Sequence, residues 1–307
     1  MKTLKIGIAA KLSSIEWDMY RLGQSYEEVI ASYQQQSKDV DKILLSHERQ
    51  KHSIEAIISR CPQAEIVDLI KIQEGKIEAP NLDLLIAIGG DNFFQLCAHH
   101  FSSAYLVGVN SDPLTSHGAL PQFDYSSLLP RLEAILQGEF KIDSWSRVAT
   151  ELNGRRLQDT TCTVALSIKA TDMMSRYLLV TPVEKEEQKS TGILIVSGAG
   201  SGKGAWYRNA GLYLPQISSG LYPSITEGFP KTSGLIKTLT REPFGGEDCG
   251  YRLLNHTINP GEEISLVYWA KDPSELSLDS IKRYEIKEGD VLAFRKSENA
   301  LKVVAKD

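Results

Sequence analysis

The 307-residue sequence predicts an α/β N-terminal domain with a parallel sheet over residues 1–142, followed by a β-rich C-terminal domain over residues 143–307. Three observations carry that prediction. Up to about residue 142, strand-like apolar runs alternate with stretches of helical periodicity, the pattern of a parallel sheet with crossover helices. The run Leu84–Ile88 is apolar throughout and is closed by two glycines, as expected of a strand covered on both faces. Beyond residue 142 the segments become short, β-branched or aromatic, and separated by turn residues.

Taken in order, Ile6–Ala10 reads as the first strand and is too short for the apolar core of a signal peptide. Between 24 and 60, Val29, Ile30, Tyr33, Val40, Ile43, Leu44, Ile54, Ile57 and Ile58 recur at spacings dominated by three and four. That spacing predicts one or two amphipathic helices. A strand is expected over 64–70, a helix over 93–101 and a strand over 105–109. In the second domain, strands are expected over 177–181, 192–197 and 264–269. Residues 218–233 hold Gly220, Pro223, Gly228 and Pro230 and read as a long loop or insertion. Residues 284–304 read as a hairpin turning near Glu288-Gly289-Asp290.

Composition narrows the function classes. The chain is 42% hydrophobic and 24% charged, enough apolar material for a buried core, and its net charge is -5. A mildly acidic chain without a basic tract is a poor general nucleic-acid binder. No apolar run has the length of a membrane span, so a cytoplasmic protein with no membrane partner is expected. Cys61, Cys97, Cys162 and Cys249 form no C-x-x-C pair and read as thiols in a reducing compartment.

Three segments have the character of a phosphate site. Gly89-Gly90-Asp91-Asn92 follows a buried strand at its carboxyl end and opens a helix, the place where open α/β sheets bind ligands. Glycines there let main-chain amides approach a phosphate, and the helix N-terminus adds a positive field. Asp91 then stands where a carboxylate can take the proton of an attacking hydroxyl or help hold magnesium; a strand–turn–helix joint with a capping aspartate is the alternative. One strand on, Asn110, Ser111 and Asp112 emerge beside Asp91 if the strands are parallel neighbours. Asn110 then suits a ribose or phosphate oxygen and Asp112 a metal site, although Ser-Asp-Pro is also a common turn. The third segment, Ser197-Gly198-Ala199-Gly200-Ser201-Gly202-Lys203-Gly204, is rich in amides and carries a lysine suited to a polyphosphate. Gly204 stands where a Walker loop needs Ser or Thr, which disfavours a P-loop ATPase. His99 and His100 are adjacent and make poor joint metal ligands, so no metal ligand set is assigned. The turn-rich segment 241–248 reads as structural.

Together these segments resemble the NAD kinases, which share a Gly-Gly-Asp element with diacylglycerol kinases and phosphofructokinases. The likeness is to the mitochondrial-type branch and spans most of the chain. It rests on Ala10-Lys11 with Glu16 and Tyr20, on Gly108-Val-Asn-Ser-Asp-Pro, on Lys189-Ser190-Thr191-Gly192 leading to Gly200–Trp206, and on Arg241-Glu242-Pro243. The resemblance implies that the nucleotide cleft lies between an α/β and a β-rich domain. It implies that Asp91 activates the adenosine ribose 2′-hydroxyl of NAD toward the γ-phosphate of ATP, giving NADP. Gly89, Gly90, Asn92, Asn110, Ser111, Asp112, Gly198, Gly200, Ser201, Gly202 and Lys203 are the nucleotide-binding residues expected. ATP and magnesium are the expected cofactors, and a homo-oligomer is expected.

Two departures stand out. The family's Gly-Gly-Asp-Gly-Thr is Gly-Gly-Asp-Asn-Phe here, through Asn92 and Phe93. The family's dinucleotide-binding Asn-Glu pair falls near Ala165-Leu166, which cannot make those polar contacts. The first keeps open a catalytically silent dinucleotide binder, and the second a kinase for another hydroxyl, on a sugar, nucleoside or lipid.

Overall fold

The computed structural model describes residues 4–170, 172–211, 228–245 and 250–306. The chain forms two compact units, Met1–Ile142 with Lys302–Asp307, and Asp143–Leu301.

The first unit is built on a parallel sheet. Its strands are β1 (Ile6–Ala10), β2 (Glu65–Ile66), β3 (Leu84–Ile88), β4 (Tyr105–Asn110) and β5 (Phe123–Asp124). The order runs β2-β1-β3-β4, then the strand Leu301–Val304, then β6 (Ile142–Trp145), with β5 beside β4. β1 pairs β3 and β3 pairs β4 in parallel register, with Ile88 opposite both Ala10 and Val109. All five residues of β3 are buried, which is why its sequence is apolar without alternation. Every residue of the strand thus meets a helix or neighbouring side chains rather than water.

Helices α1 (Ser14–Leu22), α2 (Tyr26–Gln35) and α3 (Val40–Ile58) follow β1. Reciprocal capping boxes start the first two, through Ser13 with Glu16 and Ser25 with Glu28, and Asp39 caps the third. Ile15, Val29 and Tyr33 form the buried seam among these helices. The strand expected over 64–70 is cut short after Ile66. Asp68 accepts the N–H of Lys71 and opens the short helix α4 (Leu69–Gln73) in its place. The expected helix over 93–101 is α5 (Asp91–His100), starting two residues earlier. Short helices α6 (Tyr125–Leu128) and α7 (Leu132–Leu136) complete the unit.

The second unit is a largely antiparallel sheet. Its strands are β7 (Val148–Leu152), β8 (Arg155–Arg156), β9 (Thr163–Ile168), β10 (Ser175–Val180), β11 (Lys185–Ser197), β12 (Ile236–Pro243), β13 (Thr257–Ile258), β14 (Glu263–Tyr268), β15 (Ser274–Leu278), β16 (Lys282–Ile286) and β17 (Val291–Lys296). They are ordered β16-β15-β9-β11-β10-β14-β17-β7-β8, with β12 on β11 and β13 on β12. The short helix α8 (Trp206–Gly211) follows β11. β11 changes partner midway: Lys185 to Ser190 face β10, and Gly192 to Val196 face β9. Gly192 marks the change, since a Cβ there would lie 2.0 Å from the Leu166 carbonyl oxygen.

The hairpin expected over 284–304 does not form. A turn is present at Gly289, with φ +89°, but β16 pairs β15 and β17 pairs β14 and β7. The turn's own amides explain the divergence: Gly289 N–H donates to Tyr268, and Tyr268 N–H donates to Asp290, tying the turn to the end of β14. The last strand, β18 (Leu301–Val304), lies in the parallel sheet of the first unit, with Val303 opposite Leu106. Most of the loop expected over 218–233, through residue 227, lies outside the described residues, as do residues 246–249 with Cys249. Cys61, Cys97 and Cys162 are buried and form no disulfide among the described residues, and burial pushes the thiols of Cys61 and Cys97 up from the usual range. Among the described residues no helix is long and apolar enough to cross a membrane.

Candidate functional site

In the first unit the carboxyl ends of β3 and β4 bring the predicted acid and its neighbours together. Gly89 N–H donates to the Val109 carbonyl at 2.8 Å, so this amide is spent on the sheet. A Cβ on Gly89 would lie 2.8 Å from the ring of Phe93, so Phe93 packs back over this glycine. Gly90 is the N-cap of α5 and brings no side chain, leaving the first turn without a side-chain cap. Asp91 is the first helical residue and is partly exposed; Asn92 beside it is exposed. The Asp91 carboxylate accepts Leu120 N–H through Oδ1 at 2.8 Å. Among the described residues it has no ion pair.

The segment after β4 is organised from within. Asn110 is buried, donates through Nδ2 to the Ser116 carbonyl at 3.0 Å and accepts Asp112 N–H through Oδ1 at 3.2 Å. Ser111 is buried beside it, its carbonyl 3.5 Å from the Ser53 hydroxyl. Asp112 is buried as well, and both carboxylate oxygens are occupied. Arg49 donates at 2.9 and 3.2 Å, Ser46 at 2.6 Å and Thr115 at 2.5 Å. Burial of Asp112 works against its charge. The guanidinium and the two hydroxyls outweigh it and hold the carboxyl below its ordinary range. Asn110 and Asp112, expected to meet a ribose, a phosphate or a metal, thus have their side-chain groups engaged in the loop and in α3. Among the described residues no three His, Cys, Asp or Glu side chains gather as a metal cluster. The rings of His99 and His100, adjacent in sequence, nevertheless meet edge to face at 5.0 Å.

In the second unit the glycine-rich segment is a buried 3-10 turn, Gly198–Ser201, continuing from β11, not a loose surface loop. Its glycines make room for protein backbone. A Cβ on Gly198 would lie 2.3 Å from the Pro230 carbonyl oxygen, and one on Gly200 2.2 Å from that of Cys162. The Ser201 hydroxyl donates to the Gly198 carbonyl at 2.9 Å and accepts Phe229 N–H at 2.9 Å. Gly198, Gly200 and Ser201 are therefore enclosed, while Gly202 is half-buried and Lys203 and Gly204 are exposed. Only the later part of the segment can meet a ligand as it stands.

The other segments behind the family resemblance also meet in this unit. Lys189-Ser190-Thr191-Gly192 lies on β11 against Arg241-Glu242-Pro243 on β12, with Ser190 opposite Pro243 and Gly192 opposite Arg241. The Ser190 hydroxyl accepts Gly192 N–H at 3.1 Å and sits 2.8 Å from the Tyr177 hydroxyl, fixing the kink at Gly192. Arg241 donates to the Ser167 hydroxyl on β9 at 3.0 Å, crossing β11 where Gly192 has no side chain. Its guanidinium also stacks on Trp206, 4.4 Å from the ring centroid, a contact not foreseen from sequence. Burial lowers the Arg241 pKa from its ordinary value. Ala165 and Leu166 are buried on β9 opposite Leu194 and Ile193.

No protein-family model matches the sequence, and no curated protein matches it at a significant level. Solved structures do match. Yeast NADH kinase complexed with NADH aligns with a TM-score of 0.63 and 13% identity, over 84% of this chain and 80% of that one. An NAD kinase from Archaeoglobus fulgidus in complex with ATP aligns with a TM-score of 0.60 and 12% identity, over 99% of this chain and 94% of that one. The parallel α/β unit and the β-rich unit of this chain together have the fold of these NAD and NADH kinases.

Proposed function

We propose that the chain is a kinase of NAD kinase type that transfers the γ-phosphoryl group of ATP to the adenosine ribose 2′-hydroxyl of NAD. The observation that carries this reading is Asp91. It stands at the tip of a buried parallel strand, at the uncapped start of α5, with one carboxylate oxygen held by a backbone amide and, among the described residues, no ion pair. In the reaction, Asp91 takes the hydroxyl proton as the ribose oxygen bonds to the γ-phosphorus and the bond to the leaving ADP oxygen breaks. The open first turn of α5 supplies amides to the developing charge. Lys203, exposed on the second unit, is by the family resemblance a phosphate contact.

Magnesium enters with ATP as part of the substrate. Mg²⁺ is ordinarily held by one or two carboxylates together with substrate phosphates and not by a dedicated set of protein ligands. The fold, shared with a kinase bound to ATP and one bound to NADH, supports the pairing of substrates.

A second acceptor is favoured by one observation. Ala165 and Leu166 are apolar and buried at the place of the family's polar pair, which suits a different hydroxyl, on a sugar, nucleoside or lipid headgroup. Purified protein given ATP or polyphosphate, magnesium and a panel of acceptors separates the readings. NADP formation is the expected result, and turnover of another alcohol without NADP would reject NAD. Asp91→Asn should lower kcat by at least about a hundredfold, the scale of a lost general base, while nucleotide affinity persists. Full activity in that variant would show that the base lies elsewhere.

A further inference from the structure

The amide that holds Asp91 belongs to a segment with its own scaffold. Leu120 N–H reaches Asp91 Oδ1 at 2.8 Å. Upstream, Asn110 leaves the end of β4 and uses both ends of its side-chain amide on the segment that follows, through Ser116 and Asp112. Gly118 then lies against that amide so closely that a Cβ would be 2.3 Å from Asn110 Nδ2, and its φ of +56° is one that glycine adopts without strain. From outside, Arg49, Ser46 and Thr115 clasp Asp112. The path from β4 to Leu120 is thus specified by side-chain contacts at Asn110, Asp112 and Gly118.

We propose that Asn110 is a positioning residue for Asp91: its amide sets the course of residues 110–118, and that course delivers the Leu120 N–H which orients the carboxylate. The inference rests on the reading of Asp91 as the base. A donor fixed on one carboxylate oxygen leaves the other to accept a proton, and sets the direction from which it does so. Displacing such a group by on the order of 1 Å costs roughly a hundredfold in rate. Asn110 is 6% exposed with donor and acceptor both engaged, so its effect on the reaction passes through Leu120 and not through a contact of its own with substrate.

Two chains test this. Asn110→Ala should lower kcat about ten- to a hundredfold, with affinities for ATP and NAD changed by less than about twofold. A second chain carries the α-hydroxy analogue of leucine at position 120, turning that amide into an ester and deleting only its N–H. It keeps every side chain, so the inference remains testable even if Asn110→Ala does not fold. The ester chain should show the same fall in kcat. Its affinities for ATP and NAD should stay within about twofold, so that the loss falls on kcat alone. Unchanged kcat in the ester chain would overturn the positioning role while leaving Asp91 as the base. Asp91→Asn assayed alongside separates the two ideas, since activity there overturns the assignment of the base itself.

Discussion

A Cβ at Gly200 would sit 2.2 Å from the Cys162 carbonyl oxygen, and that oxygen is itself fixed because it accepts Ser197 N–H. Neither atom can yield without moving the start of β9 or the end of β11. Gly200→Ala should therefore destabilise the second unit by about 1–3 kcal/mol, the usual cost of overpacking, read as a lower urea midpoint. Lys203→Ala, at an exposed position three residues on, should leave that midpoint within about 0.5 kcal/mol and weaken ATP binding instead. The pair separates what the sequence leaves merged. Density of glycine reads as a cradle for phosphate, yet Gly198 and Gly200 accommodate the backbone of Pro230 and Cys162. A glycine that admits a ligand and one that admits a neighbouring strand are the same letter, and only the strand order tells them apart.

At the scale of elements, the clasp of Asp112 ties α3 to the end of β4 and carries a pH signature. Folding holds the Asp112 carboxyl below its ordinary range despite burial. A depressed carboxylate contributes stability that is fully present above its unfolded value, about 3.9, and is lost as pH falls through the lower folded value. Asp112→Asn should thus be less stable than the parent at neutral pH, and the gap should narrow as pH drops below about 4. Urea midpoints measured from neutral pH down to the acid transition check this; a gap constant with pH would remove the clasp as its source. The elements themselves were unevenly legible. β3 and α5 follow directly from an apolar run and a double glycine. α1 carries a plain Ser13-x-x-Glu16 box, has Ile15, Met19 and Leu22 at helical spacing and ends on Gly23 with φ +63°, signals of a helix that the elements expected from sequence do not include. Conversely, the apolar run ending at Ile70 reads as one strand because Asp68, which starts a helix inside it, looks in sequence like a polar member of an alternating pattern. The open side of Asp91 could be anticipated from its place after β3. Its tether to Leu120 could not, because a contact made by a backbone amide leaves no mark on residue type.

For the molecule as a whole, the least foreseeable feature is the departure of β18 from the β-rich unit. Its sequence suits either sheet, and a hairpin over 284–304 turning near Gly289 would have kept it in the β-rich unit. It pairs instead with β4, burying Leu301, Val303 and Val304 completely. Deleting residues 301–306 should remove roughly 5 kcal/mol or more of apolar burial, at about 1.5–3 kcal/mol for each fully buried aliphatic side chain. The expected result is loss of the first unit's structure, seen as lost near-ultraviolet signal from its aromatic residues and rapid proteolysis between 4 and 140. Retention of a protected first unit after the deletion would show that β18 only decorates the sheet.

The same pairing has a bearing on biosynthesis. A ribosome releases β4 long before it makes β18, so the nascent first unit must wait, with one edge of its central sheet covered only at the end of β4 by β5, while the whole of the second unit is translated. During that interval an unpaired strand edge is available to other chains.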